Sequence, residues 1–387
     1  MATDTTTTPE APPQAEPVLR TIRFRNFKCL RRVDLDLERF TVLIGPNASG
    51  KTSVLQGIHY LARTTTTSDF GTKLWDELIG FAYSDNPKIT TELTIEGEIL
   101  GGVVRLRLEK KEGGLYGPFA ETQNASGEWE LLERSGHPGG ESASWIGILL
   151  RLDARLVAQP SYNASLSPGS EYDGSGVPWF LAEMKLEQDE KFERIQDQLR
   201  AVIPTVRGIR IKKADVVKDV PVESEGGARV QSQRMFFVGR KLELDVKGAN
   251  EVSATHASEG TLIVLGLLTI LEMVAERETP VIVLMDDLDR GLHPRAQREL
   301  VGLLRRFLDI NPNMQIIATT HSPYLLDTLS ASEVRLTAPR DDGTTACARL
   351  DEHPEFEKWK DDFAPGEFWS AVGEEWVTRL RERDKDS

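Results

Sequence analysis

Two glycines with four residues between them, followed at once by a lysine and a threonine, stand at Gly45-Pro46-Asn47-Ala48-Ser49-Gly50-Lys51-Thr52. Residues of these types at this spacing suit a polyphosphate. The glycines let backbone N–H groups curl around phosphate oxygens, and a helix that follows points its positive end at them. Lys51 would reach the β- and γ-phosphates and the Thr52 hydroxyl would hold Mg²⁺, with Ser53 continuing the helix behind. An acidic pair, Asp286-Asp287, ends the apolar run Val281-Ile282-Val283-Leu284-Met285. Asp286 is the natural Mg²⁺ partner of Thr52, and Asp287 would face the γ-phosphate and orient or activate water. A strand-end turn made from aspartates is the bland alternative. Ser258, in His256-Ala257-Ser258-Glu259-Gly260-Thr261, precedes a long apolar stretch. It reads as a helix N-cap, or as a helix end that receives a phosphate. His321, in Ile316-Ile317-Ala318-Thr319-Thr320-His321-Ser322-Pro323, reads as a satisfied structural histidine or as a phosphate contact.

Such groups need a scaffold that carries distant segments to one edge. Phe40-Thr41-Val42-Leu43-Ile44 is a short apolar run that predicts a buried strand leading into the glycine loop, and residues 53–61 have helical apolar spacing. The last third alternates: helix over 261–277, strand over 281–285, helix over 295–309, strand over 314–318, helix over 323–329, short strand over 334–337. Alternation of this kind implies a parallel sheet covered on both faces. Residues 19–39 predict two strands joined by a turn at Asn26-Phe27-Lys28, and residues 89–132 an antiparallel subsheet with glycine-pair turns. A linker is expected over 64–69, a short helix over 73–81, and loops over 135–144 and 161–176. One long helix is expected over 178–202, then strands over 209–217 and 230–246 with a turn near Gly226-Gly227. Its heptads are not sustained, so it does not open a coiled coil.

The expected fold class is α/β: a mostly parallel core sheet flanked by helices, with an antiparallel β-subdomain and a helical lid insert. Five stretches follow from this. They are a disordered tail over 1–18, an N-terminal lobe over 19–150, a lid over 151–235 with the long helix, a C-terminal lobe over 236–340 and a helical extension over 341–387.

Composition narrows the function classes. The chain has 387 residues, 39% hydrophobic and 28% charged, enough for a sizeable core. Its formal net charge of −14 argues against a protein that coats DNA, while leaving room for a local basic groove. Two cysteines, Cys29 and Cys347, make no disulfide framework or thiolate metal site and suit a reducing cytoplasm. The start lacks the marks of a signal peptide, and the apolar run over 262–274 contains Glu272, so no membrane association is expected. Arg20, Arg23, Arg25, Lys28, Arg31 and Arg32 form either the solvated face of an edge strand or a contact to a nucleotide edge or DNA backbone. Trp359, Trp369 and Trp376 fill core under the last helices or form a docking face.

Four stretches in one order carry a family resemblance. LRTIRFRNFKCLRRVDLDLERFTVLIGPNASGKTSVLQGI, ASEGTL, VIVLMDDLDRGLHP and IIATTHSPYLLD resemble the opening, the signature motif, the Walker B with D-loop, and the switch-histidine segment of ABC-type ATPases of the SMC/RecF/OLD-like group. The resemblance implies a P-loop NTPase of ABC-ATPase head type that binds ATP and Mg²⁺ and hydrolyses ATP. It implies a homodimer that sandwiches ATP, with Ser258 and Gly260 contacting the γ-phosphate held by the partner and His321 sensing the phosphate in cis. Gln159 is assigned as the Q-loop glutamine touching Mg²⁺ or water. The chain departs from the group at Asp287, where most members have Glu. The implied role is the ATPase subunit of a bacterial DNA-repair or anti-phage defence system, acting with DNA or with a nuclease or effector encoded separately, because no room for a TOPRIM domain follows His321. The rival is a nucleotide-gated scaffold with little hydrolysis that holds a toxin or nuclease inactive.

Overall fold

The structure, a computed structural model, describes residues 15–66, 92–99, 102–111, 114–124, 126–131, 145–164, 171–223 and 230–383. The helix expected over 73–81, the loop over 135–144 and the turn at Gly226-Gly227 lie outside these residues.

In chain order, β1 (Leu19–Phe27) and β2 (Leu30–Asp36) form a hairpin, and β3 (Phe40–Ile44) leads through the glycine loop into α1 (Lys51–Thr66). Strands β4 (Glu92–Ile99), β5 (Gly102–Lys111), β6 (Gly114–Gln123) and β7 (Trp129–Leu131) follow. They join the hairpin in one antiparallel sheet, ordered β2-β1-β4-β5-β6-β7. Next come β8 (Ile146–Leu150), α2 (Ala154–Ala158), β9 (Glu171–Tyr172), α3 (Val177–Glu187) and α4 (Asp189–Val202). A long ribbon of β10 (Val206–Glu223) and β11 (Val230–Val246) is joined by β12 (Ala249–Ser253). The chain then alternates α5 (Glu259–Val274), β13 (Val281–Met285), α6 (Pro294–Ile310), β14 (Met314–Thr320), α7 (Pro323–Leu326), β15 (Val334–Pro339) and β16 (Thr345–Arg349). Helices α8 (Phe356–Trp359), α9 (Pro365–Val372) and α10 (Glu375–Arg383) close it.

The central sheet is ordered β16-β15-β3-β14-β13-β8-β9, and every neighbouring pair but β15-β16 is parallel. β3, β8 and β13 are buried at every position, as strands covered on both faces must be. Alternate residues serve two cores. Leu43, Leu149, Ile282, Leu284 and Ile317 face α1 and the antiparallel sheet, while Val42, Ile148, Val283, Met285 and Ile316 face the cluster built from α3 to α6. Parallel register carries Ile44, Leu150, Met285 and Thr320 to one edge of the sheet, so the loops after them share that edge.

Four expectations change. The extension expected to be helical over 341–387 opens with β16, a strand of the central sheet that pairs with β15. The long helix breaks at Gln188, whose backbone (φ −142°, ψ 57°) is not helical; the apolar stripe has a glutamine there, and Asp189 and Glu190 supply the acidic first turn of a new helix. The lid boundary at 235/236 falls inside β11, a strand hydrogen-bonded to β10 on both sides of that point. The tail expected through residue 18 ends sooner, because Val18 is fully buried. The tryptophans of the extension, Trp359, Trp369 and Trp376, pack against the main core. Among the described residues, no helix is long and apolar enough to cross a membrane.

Candidate functional site

The glycine loop is shaped by its neighbours as much as by its own residues. A Cβ on Gly45 would lie 2.1 Å from the Thr337 carbonyl oxygen of β15, so only glycine fits. Ser49 Oγ and Thr337 Oγ1 are 2.6 Å apart, and the Thr345 N–H of β16 donates to the Cys29 carbonyl at 2.9 Å. Lys51 folds back and donates to the carbonyls of Gly45 and Pro46, both at 2.9 Å. Burial lowers its pKa, opposed by the carboxylates of Asp287, Asp286 and Asp289 and by Glu374. A buried ammonium held on weak neutral acceptors is ready to exchange them for phosphate oxygens.

From β13 and β14 the carboxylates reach the same edge. Thr52 Oγ1 donates to Asp286 at 3.0 and 3.2 Å, and Thr319 Oγ1 donates to the same carboxylate at 2.7 Å. Two oxygen ligands set about 3 Å apart match adjacent corners of the Mg²⁺ octahedron. Among the described residues no cluster of three or more His, Cys, Asp or Glu side chains forms a metal cage.

Asp287 adopts a left-handed backbone (φ 54°), and its N–H donates to Thr319 Oγ1 at 2.8 Å. Desolvation and then the adjacent Asp286 carboxylate raise its pKa, with His321 opposing them. His321 Nε2 lies 3.8 Å from Asp287 Oδ1. Its backbone N–H is anchored at 3.1 Å on Asp289 Oδ1, which also accepts from Thr320 Oγ1 at 2.6 Å. A cavity of about 460 Å³ is lined by residues 47–53, Lys28, Cys29, Asp287 and His321. The structure thus brings Asn47, Ala48, Ser49, Gly50, Lys51, Thr52, Ser53, Asp287 and His321 to one cavity, with Asp286 hydrogen-bonded to Thr52 at its floor.

Ser258 and Gly260 are elsewhere in the same chain. Ser258 N-caps α5, accepting from the Thr261 N–H at 3.3 Å. Gly260 packs so tightly on the segment after Asp287 that a Cβ would meet the Gly291 carbonyl oxygen at 2.3 Å. Gln159 is not part of the group. It follows α2, its N–H donating to the Leu156 carbonyl, and lines a separate cavity with Tyr162 and Lys218. Sequence reading missed Thr319, Asp289, Thr337 and Thr345, although two adjacent threonines ending an apolar strand were a visible sign. Of the basic cluster, Arg23 pairs with Glu96 at 2.7 Å and Arg25 with Asp34, while Lys28 alone lines the cavity.

Residues 40–327 match the AAA_21 family, described as "AAA domain, putative AbiEii toxin, Type IV TA system". The chain belongs to this family. The chain is similar to an OLD nuclease of Thermus scotoductus, 24% identical over 354 residues, 82% of this chain and 62% of that protein. A "Retron Vc95 probable ATPase" of Vibrio cholerae is 29% identical over 100 residues, 24% of this chain and 19% of its own. The chain therefore spans less than two-thirds of the length of either relative. The crystal structure of an SMC head bound to the C-winged helix domain of ScpA superposes with a TM-score of 0.55 at 15% identity, covering 88% of this chain and 100% of that one. This AAA_21 chain thus has an α/β P-loop fold like that of the SMC ATPase head.

Proposed function

We propose that the chain binds ATP with Mg²⁺ in the loop cavity and hydrolyses it, as a homodimer in which the α5 end of one copy closes the cavity of the other. The observation that supports this most is the convergence of Asp287 and His321 on the cavity walled by Lys51 and Thr52. Thr52 and Asp286 would hold Mg²⁺, which when bound neutralises charge on the phosphates. Lys51 leaves the Gly45 and Pro46 carbonyls for the β- and γ-phosphates. Asp287, its pKa raised toward that of a working base, accepts the proton of the attacking water, and His321 orients the γ-phosphate beside it. Ser258 and Gly260 of the partner subunit supply free N–H groups at a helix end. The cellular role we infer is that of a cytoplasmic ATPase in a DNA-repair or anti-phage defence system, with DNA or a separately encoded nuclease or effector as the partner of the closed state.

Steady-state phosphate release with and without duplex DNA tests the reading, with Lys51→Ala as control. Turnover that falls to background in Lys51→Ala supports it. Turnover near zero in the unaltered chain, under both conditions and with ATP bound, favours the gated scaffold instead. Two features favour that second reading: Asp287 is one methylene shorter than glutamate, and its left-handed backbone fixes where the carboxylate points.

A further inference from the structure

β8 runs parallel to β13 with Leu150 opposite Met285, so the next residues, Arg151 and Asp286, leave the sheet side by side. Neighbouring strands are only ~4.8 Å apart, a gap that an arginine side chain crosses easily. Arg151 shares a cavity of about 220 Å³ with Asp286, Asp287 and Arg290. Asp287 also lines the loop cavity, so both spaces border this residue. The Arg151 guanidinium is paired with Glu171 of β9, Nη1 to Oε1 at 3.0 Å. Both side chains are partly exposed, 37% and 50%, and a pair of that kind is weak. The field of Arg151 also reaches the loop cavity, where after burial it is the next contribution lowering the pKa of Lys28.

We propose that Arg151 is a catalytic residue of this site: when ATP binds, its guanidinium leaves Glu171 for the γ-phosphate. The proposal rests on the ATPase reading above. A planar guanidinium can take two oxygens of a terminal phosphate at once, which neither Lys51 nor a glutamine does. It would approach from the β8 side while Lys51 approaches from the loop, so the γ-phosphoryl group is clamped between two cations as charge spreads over its oxygens. ADP has no γ-phosphate and leaves the Arg151–Glu171 pair intact. The arginine therefore reads which nucleotide is bound, and the release of Glu171 reports it to β9 and the lid helices α3 and α4 behind it.

The test compares ATP and ADP affinity, each with Mg²⁺, and turnover in the full chain. Arg151→Ala is expected to bind ADP as the unaltered chain does, to bind ATP about 10- to 100-fold more weakly, and to lose turnover by a similar factor. Arg151→Lys should recover part of both losses. Glu171→Gln frees the guanidinium and should tighten ATP without changing ADP, and it disturbs no packed core if Arg151→Ala folds poorly. An unchanged ATP-to-ADP affinity ratio in Arg151→Ala and Glu171→Gln overturns the assignment. An unaltered chain that binds neither nucleotide would instead overturn the ATPase reading and this inference with it.

Discussion

Asp287 holds two costs at one position. Its left-handed φ of 54° is unfavourable for a residue with a Cβ, although Asp and Asn bear it better than most. Its carboxylate is ionised against desolvation and the Asp286 charge, which raise its pKa. A carboxyl group whose folded pKa exceeds its unfolded one binds protons more readily in the native state. Its ionised form therefore costs stability at neutral pH, and that cost fades as pH falls through the raised pKa. Asp287→Asn removes the charge and keeps a side chain suited to the backbone. Its melting temperature at pH 7.5 is expected to rise slightly, with the gain shrinking on acidification, while turnover drops about 100-fold. The unaltered enzyme should lose turnover on acidification at a higher pH than an ordinary aspartate base would give. Melting curves and initial rates over a pH series check both; a lower melting temperature for Asp287→Asn at neutral pH would contradict the account.

At the scale of elements, α5 and the segment after β13 act as one piece. Gly260 lies against the Gly291 carbonyl, and Arg290 pairs with Glu259 at 2.7 Å. Gly260→Ala pushes a methyl group into backbone and should cost about 1–3 kcal/mol, against about 1 kcal/mol for loss of the cap in Ser258→Ala. Urea unfolding of the two variants measures the difference, and equal midpoints would remove the tight packing from the explanation. This element pair also shows what the sequence discloses. The glycine loop, Asp286-Asp287 and His321 were legible because each directly follows a buried strand, where period and burial are unambiguous. Gln159 misled because α2, only five residues long, stands between β8 and it. β16 was missed because its Ala-Cys-Ala run has low strand propensity. The helix break at Gln188 was hidden because the apolar stripe keeps its phase across it.

At the scale of the whole molecule, Ser258 and Gly260 at the α5 end are not among the described residues that line the loop cavity. If two copies complete each other's sites, the defects of two different variants should be separable. Lys51→Ala removes the loop, and Ser258→Arg blocks the helix end with a bulky cation while leaving the loop untouched. Each alone should be inactive as a homodimer. In a two-fold dimer of one of each, one site carries both defects and the other carries neither. Random mixing makes half the dimers mixed, each with one working site of two, so an equimolar mixture should regain about a quarter of the unaltered activity. A Ser258→Arg chain that keeps full turnover on its own, with subunit exchange shown by pull-down of differently tagged copies, would mean that each chain hydrolyses ATP without its partner's helix. Recovery near one quarter would locate the second half of the site on the other subunit, since neither variant retains a complete site of its own.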